Sequence, residues 1–433
     1  MTRVLAFAMR ILFLTCHLPF PPVSGGRLRE YELLRRVTKN AEVTLCAVSK
    51  TYAEDREAAA ELAKSCTRVA VFPAEPSPSA NATLARYCSP AATAYVSESI
   101  ASGEVDAVHV EGFYLAHHVS PAERVPLLLV EQNVEYALWR QRGRGARQIG
   151  ERIRALRTYR VIRQLERAAW RRSSMIGTVT HEDRAAIVDT TRGLDVRVVP
   201  DGADHLQAPE ANTSPDPRTV VMVANYAYSP NDDAARWFCD EIVPRLRRRV
   251  PDAKVVLVGN EPSFEIRSRA CDALVVTGQV PRIEPYLDQA AVVVCPLRIG
   301  GGIKVKMLEA LSRGKAVVTT SVGTQGFGEA IHDAVAVAET APEFAAAIAR
   351  LLEQPAERLR LEAAARAFAD KLPTWDDAAG ALLDCYSDLA AAARRRPERR
   401  RFLALPGQLG RSLRVAQPPS VRARPASPET PFR

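Results

Sequence analysis

The sequence predicts an α/β protein of two parallel-sheet domains that face each other across a cleft, followed by a crossover helix and a basic tail. Three observations carry this expectation. Short apolar, β-rich runs alternate with longer helical patterns. The alternation breaks at a loop rich in Pro, Asp and Ser (209–217) and then restarts. The length, 433 residues, exceeds what one ordinary core accommodates. Strand–helix alternation at this spacing implies parallel sheets covered by helices on both faces, and the restart implies two of them.

In the first half the expected strands are Ile11–Thr15, Glu42–Val48, Arg68–Phe72, Ala107–Val110, Leu127–Glu131, Met175–Thr180 and Val196–Val199, with helices such as Arg27–Thr38 and His181–Thr190 between them. After the loop come Val220–Ala224, Lys254–Val258, Ala273–Val276, Ala291–Pro296 and Ala316–Thr320. From Trp375 to Leu389 the positions Trp375, Ala379, Leu382, Leu383, Tyr386 and Leu389 form one apolar helical stripe, which suits a helix crossing back over the first domain. The expected domains are 9–208 and 218–372, with the crossover helix at 373–393 and a Pro/Arg-rich tail at 394–433. That tail has too few hydrophobes for a core and is expected to be disordered. Ligands of open parallel sheets bind beyond the C-terminal strand ends, so the cleft is where chemistry is expected.

Composition narrows the function classes. Hydrophobic content of 47% and charged content of 25% are those of a soluble globular chain, and no apolar run approaches the roughly 20 residues that span a bilayer. The stretch from Val4 to Leu18 resembles a signal peptide, but Arg10 interrupts it and no small-residue cleavage pattern follows; it reads as a first strand, with Met9 as an alternative start. Eight cysteines without a C-x-x-C pair fit a reducing cytoplasm.

The formal charge of +9 is concentrated. From Arg394 to Arg433 there are eleven Arg against Glu398 and Glu429, and from Arg140 to Arg172 twelve Arg against Glu151 and Glu166. The second block interleaves its arginines with Ile149, Ile153, Leu156, Ile162 and Leu165, so a peripheral role at an anionic membrane surface is expected of 140–172. For the tail, a membrane role and a merely solvated charge run both stand. No nucleic-acid partner is expected, although such charge could meet one.

The strongest chemical signal is Pro296-Leu-Arg-Ile-Gly-Gly-Gly-Ile-Lys-Val-Lys-Met-Leu-Glu-Ala310. An apolar strand runs into Gly300, Gly301 and Gly302, and a helix follows. Glycines let backbone amides approach an anion, and the helix start adds positive potential. Lys304 or Lys306 adds the full charge that a diphosphate leaving group calls for. Lys306 and Glu309 share a helix face, where a carboxylate can accept hydrogen bonds from ribose hydroxyls. The bland alternative is a flexible turn followed by a surface Lys–Glu pair.

This segment resembles the donor-binding motif of the retaining glycosyltransferases of the GT-B fold, family 4, and in particular the exopolysaccharide and cell-envelope sugar transferases. The likeness extends to Val199-Pro-Asp-Gly-Ala-Asp204 between the domains, to Tyr228-Ser-Pro-Asn-Asp-Asp-Ala at the start of the second domain, and to Thr277-Gly-Gln-Val280. It implies two Rossmann-like domains and transfer of a hexose-type sugar from a nucleotide-diphosphate donor to a lipid-linked or glycan acceptor, with retention. The implied donor-binding residues are Gly25, Gly26, Asn225, Val280, Gly300, Gly301, Gly302, Lys304, Lys306 and Glu309. The implied catalytic groups are His109, Glu111 and Lys306; Arg27, Asn133 and Glu135 fall on the acceptor side. For His109 a core role and a substrate role weigh equally, and the Glu131–Glu135 cluster serves either acceptor binding or loop structure.

The chain departs from the family pattern in two places. Gly301 stands where the family carries the first of two glutamates, and no basic pair is evident near Asn225. No D-x-D pair follows a strand, so no metal cofactor is expected. Two other readings remain: a sugar-nucleotide epimerase of the same architecture, which needs no acceptor, and a non-catalytic nucleotide-sugar-binding homologue.

Overall fold

The computed structural model describes residues 9–75, 82–145, 148–191, 193–206 and 215–402, with backbone alone for 393–402. Within them the chain forms two parallel sheets, hereafter lobe 1 and lobe 2. The strands of lobe 1 are β1 (Met9–Thr15), β2 (Ala41–Ser49), β3 (Arg68–Pro73), β4 (Ala107–Glu111), β5 (Leu127–Glu131), β6 (Met175–Thr178) and β7 (Val196–Val198). Their order is β3-β2-β1-β4-β5-β6-β7. Lobe 2 contains β8 (Asp216–Val223), β9 (Lys254–Val258), β10 (Leu274–Gly278), β11 (Ala290–Cys295), β12 (Ala316–Thr319) and β13 (Ala336–Val337), ordered β10-β9-β8-β11-β12-β13. All twelve strands expected from the sequence are present. The two-residue β13 was not foreseen; it pairs with β12 through Val318 and Thr319 and is too short to carry a periodic signal.

Central strands are apolar on both faces, as parallel sheets require. Every residue of β4, β5 and β11 is buried. Burying one Val or Leu contributes roughly 1.5–3 kcal/mol, so these strands anchor the loops at their ends. The helices that position the site are α1 (Gly25–Val37), α2 (Glu135–Gly145), α3 (Ile149–Arg172), α4 (Ser229–Trp237), α5 (Val305–Ser312) and α6 (Trp375–Phe402).

The chain crosses between the lobes twice, and the crossings touch. Ala203 N donates to Pro373 O at 3.0 Å, and Trp375 N donates to Asp204 Oδ1 at 2.7 Å. A Cβ on Gly202 would stand 2.3 Å from Trp375 N, so only glycine lets the strands come this close. Arg29 of α1, fully buried, donates to Val199 O and Pro200 O at 2.9 Å each and pairs with Asp201. Helix α6 then packs Trp375, Ala378, Leu382, Tyr386 and Leu389 into the lobe 1 core beside Phe13 and Val43, as its stripe predicted. It continues to Phe402, past the expected start of the tail at 394. Alanines and arginines are good helix formers, and the run 390–396 is built from them. The rest of the expected tail, 403–433, lies outside the described residues.

The basic block forms the end of α2 and most of α3. Helix α3 buries Ala155, Ile162, Glu166, Ala169 and Trp170 but leaves Ile149 79% exposed and Ile153 and Leu156 each 49% exposed. No described helix is long and apolar enough to cross a membrane.

Candidate active site between the lobes

Strands β1, β4 and β5 are neighbours, so their C-terminal ends bring Thr15–His17, Glu111 and Glu131–Asn133 to one edge of lobe 1. His109 is fully buried and stacks on Phe13 with ring centres 4.1 Å apart. Its Nδ1 lies 2.6 Å from the Tyr386 hydroxyl and its Nε2 3.0 Å from Glu111 Oε1. An ionised carboxylate only accepts, so Nε2 carries a proton directed at Glu111, and Nδ1 is hydrogen-bonded to the Tyr386 hydroxyl. Burial pushes the Glu111 carboxyl up, but His109, Arg29 and Gln132 outweigh it and hold the group below the usual range. His109 and Glu111 therefore sit beneath the cleft floor, engaged with each other.

Above them lies Gln132, a member of the Glu131–Glu135 cluster that the sequence did not single out as a site residue. Its Nε2 donates to Glu111 Oε2 at 3.1 Å and to Glu30 Oε1 at 3.4 Å. With both amide protons directed at carboxylates, its Oε1 turns the other way and comes within 3.2 Å of where a Gly26 Cβ would stand. Glu30 in turn accepts from Thr15 Oγ1 at 2.5 Å and faces His17 Nε2 at 3.2 Å. Burial lowers the His17 pKa, yet Glu30 and Cys16 raise it further, and the net value lies well above the ordinary one. No motif signals Glu30, which sits in mid-helix on α1; its position five residues after Gly25 is the one available clue.

Lobe 2 presents the glycine loop opposite. Gly25 approaches Val305 at the start of α5, leaving 3.1 Å between an added Cβ and Val305 Cγ2. Gly302 adopts φ 57°, and a Cβ there would lie 2.4 Å from Gln132 O and 2.6 Å from Asn133 Oδ1. A Cβ on Gly301 would meet Leu138 at 3.0 Å and Asn133 Oδ1 at 3.3 Å. Gly25 thus lets lobe 1 approach α5, Gly301 and Gly302 let lobe 2 approach the end of β5 and α2, and at Gly302 any side chain would hold the lobes apart.

Lys304 and Lys306 lie inside this junction. Lys304 Nζ donates to Gly301 O at 3.1 Å and Gly302 O at 2.6 Å, and burial pulls its pKa down to about 8 despite Cys295 and Asp183 nearby. Lys306 Nζ donates to Asn231 Oδ1 at 2.5 Å and is likewise lowered by burial. Among the described residues neither lysine has a carboxylate in ion-pair contact. Asn231 Nδ2 donates to Asn225 O at 2.7 Å, which ties Asn225 into the same cluster. Glu309 faces His205 Nε2 at 3.4 Å, and Trp375 Nε1 donates to His205 Nδ1 at 3.4 Å. Val280 is half-buried against the lobe 2 core.

Not every expected residue joins the cluster. Arg27 turns to Asp55 at 3.0 Å. Glu135 is half-buried at the start of α2, where burial pushes its carboxyl up and Arg142 partly opposes this. A cavity of about 750 Å³ opens beside the lobe crossings, behind the glycine loop, and meets the cluster only through Ile303. Among the described residues, no group of three or more His, Cys, Asp or Glu side chains could hold a metal ion.

Comparison with known proteins places this geometry. Residues 217–354 match the family described as glycosyl transferases group 1. A sucrose-phosphate synthase from Thermosynechococcus elongatus superposes with a TM-score of 0.69 at 17% identity, over 89% of this chain and 100% of that one. Anabaena HepE, solved with UDP and glucose, gives 0.61 at 16% identity, over 88% and 99%. WaaG, a glycosyltransferase of lipopolysaccharide biosynthesis, gives 0.60 at 14% identity, over 86% and 98%. An uncharacterized 44.6 kDa protein of the cps region of Klebsiella pneumoniae is 24% identical over 118 residues, which span 25% of this chain and 30% of that relative. The fold is therefore the two-lobed GT-B arrangement, and residues 217–354 of its second lobe are similar to the glycosyl transferases group 1.

Proposed function

We propose that this chain moves a hexose-type sugar from a nucleotide-diphosphate donor, held by lobe 2, to a lipid-linked or glycan acceptor entering along lobe 1. The observation that carries this reading is a buried Lys304 and a half-buried Lys306, neither with a carboxylate in ion-pair contact, beside three glycines at the start of α5. A buried ammonium without a counter-charge is costly, and an anionic ligand offsets that cost. A diphosphate has that charge and develops more as the sugar leaves, so Lys304, Lys306 and the loop amides stabilise the transition state more than the ground state. They supply charge of the kind a metal would, and we infer that transfer proceeds without one.

In this reading Glu309 receives the ribose hydroxyls, and the backbone of Gly301 and Gly302 faces the sugar in place of a glutamate. Gln132 Oε1 accepts from a sugar or acceptor hydroxyl, while His109 and Glu111 hold it in position from below. We infer retention at the anomeric carbon and a place in polysaccharide or cell-envelope assembly.

The test is a thermal-shift panel of UDP, GDP, ADP and their sugar conjugates, run with EDTA and with Mg²⁺. At a hundredfold excess over Kd a ligand adds roughly 2.7 kcal/mol of apparent stability. One nucleotide series raising Tm equally in both conditions is expected; no shift in folded protein would remove the donor site.

We also infer that the exposed face of α3, where Ile149, Ile153 and Leu156 stand among Arg152, Arg154, Arg157 and Arg160, rests on an anionic membrane surface. Co-sedimentation with vesicles containing phosphatidylglycerol should be strong in low salt and reduced by Ile149→Ser with Leu156→Ser. Equal binding to neutral vesicles speaks against the idea.

A further inference from the structure

Helix α2 belongs to lobe 1, yet one of its faces lies on lobe 2. Leu138 lines the space over Gly301, and Gln141 Oε1 accepts from the Gly300 amide at 3.2 Å. One residue on, Arg142 Nη2 donates to Ser229 Oγ at 2.9 Å. Ser229 opens α4, and no side chain caps that helix start. Two positions further along, Asn231 accepts from Lys306. Arg142 and Lys306 therefore bracket the same helix start, one from each lobe.

The guanidinium is held rather than free to sweep. Its Cζ lies 4.8 Å from the centre of the Trp139 ring. The first turn of α2 is fixed from below, because Glu166 accepts from the amides of Glu135 at 2.7 Å and Tyr136 at 2.9 Å. A guanidinium carries five N–H donors in a rigid fork suited to phosphate oxygens. Among the described residues Ser229 takes one of them, and Arg142 enters no ion pair. Three cations, Arg142, Lys304 and Lys306, thus surround the starts of α4 and α5 with no paired carboxylate among the described residues. Asp183, Glu309 and Glu135 lie near enough to act on these cations without pairing with them, and an anion bound among the three offsets the repulsion that is left.

We propose that Arg142 is a donor-binding residue supplied by lobe 1, its free N–H groups meeting the diphosphate of the nucleotide sugar. The inference rests on the donor reading above. It makes the anion site complete only while α2 lies against the glycine loop, so diphosphate binding and contact between the lobes favour each other.

The experiment compares UDP with uridine, measuring affinity for the wild-type protein and for Arg142→Ala, Arg142→Lys and Lys306→Ala. Loss of a charge-assisted contact predicts that Arg142→Ala weakens UDP about 10- to 100-fold. Uridine affinity should stay unchanged, and Arg142→Lys should recover part of the loss. UDP affinity unchanged in Arg142→Ala but reduced in Lys306→Ala overturns this inference and leaves the donor reading standing. Equal weakening of UDP and uridine makes Arg142 a structural residue and also overturns it. A wild-type protein that binds none of UDP, GDP and ADP removes both.

Discussion

The two lobes treat buried polar groups in opposite ways. In lobe 1, His109 finds Tyr386 and Glu111, Glu111 finds Gln132, and Glu30 faces Gln132, Thr15 and His17. Most donors and acceptors there satisfy one another, His17 Nε2 being a buried atom that faces Glu30 without a hydrogen bond. In lobe 2 the buried Lys304 and the half-buried Lys306 meet only carbonyl oxygens. A neutral acceptor satisfies an N–H but does not cancel a charge. The contrast separates two roles: a self-contained polar floor that positions, and an incomplete cationic pocket that a ligand finishes.

The largest effect expected from breaking this comparison is at Lys306. If its charge acts on the departing diphosphate, Lys306→Ala lowers kcat about 10²- to 10³-fold with a smaller change in KM. Nucleotide release from the donor measures it, and a defect confined to KM would refute the leaving-group role. A middle-sized effect follows from Lys304, whose folded pKa of about 8 lies below the ordinary 10.5 because burial disfavours the charged form. Between those values the unfolded chain binds more protons, so this residue's contribution to stability rises with pH through that window, and its full penalty applies below about 8. Binding a diphosphate calls for the charged form. UDP affinity should therefore weaken above pH about 8, by at most about tenfold per pH unit. Calorimetry at pH 9 in buffers of different ionisation heat should show proton uptake that Lys304→Met abolishes; no uptake by the wild type counts against the assignment.

The smallest effect is expected in the floor. Tyr386→Phe removes the hydrogen-bond partner of His109 Nδ1 and should cost about 1 kcal/mol of stability, read by denaturant unfolding, with UDP affinity unchanged. A comparable loss of UDP affinity would show that the floor and the pocket are not separate.

Much of the framework was legible in the chain. Twelve strands were readable because a buried parallel strand is a short run of apolar, β-branched residues, a signal contained in its own few positions. The glycine loop was readable for the same reason, since three glycines leaving such a strand have few structural uses. Glu30 went unnoticed because nothing in its local sequence distinguishes it from a surface residue, and Gln132 stood in a legible polar cluster with nothing to set it apart from its neighbours. Their role comes from β1, β4 and β5 lying side by side, an order set by crossovers.

By itself, then, the sequence determined the alternation of elements, the doubling of the sheet and the glycine-bearing turn, all properties of neighbouring residues. The tertiary structure alone decided which charges are paired. Tyr386 reaches His109 across 277 positions, Arg142 reaches Ser229 across 87, and Lys306 reaches Asn231 across 75. Hydrogen bonds and Coulomb forces act over a few ångströms of space whatever the separation along the chain, so only the folded arrangement reveals which buried cations lack a partner.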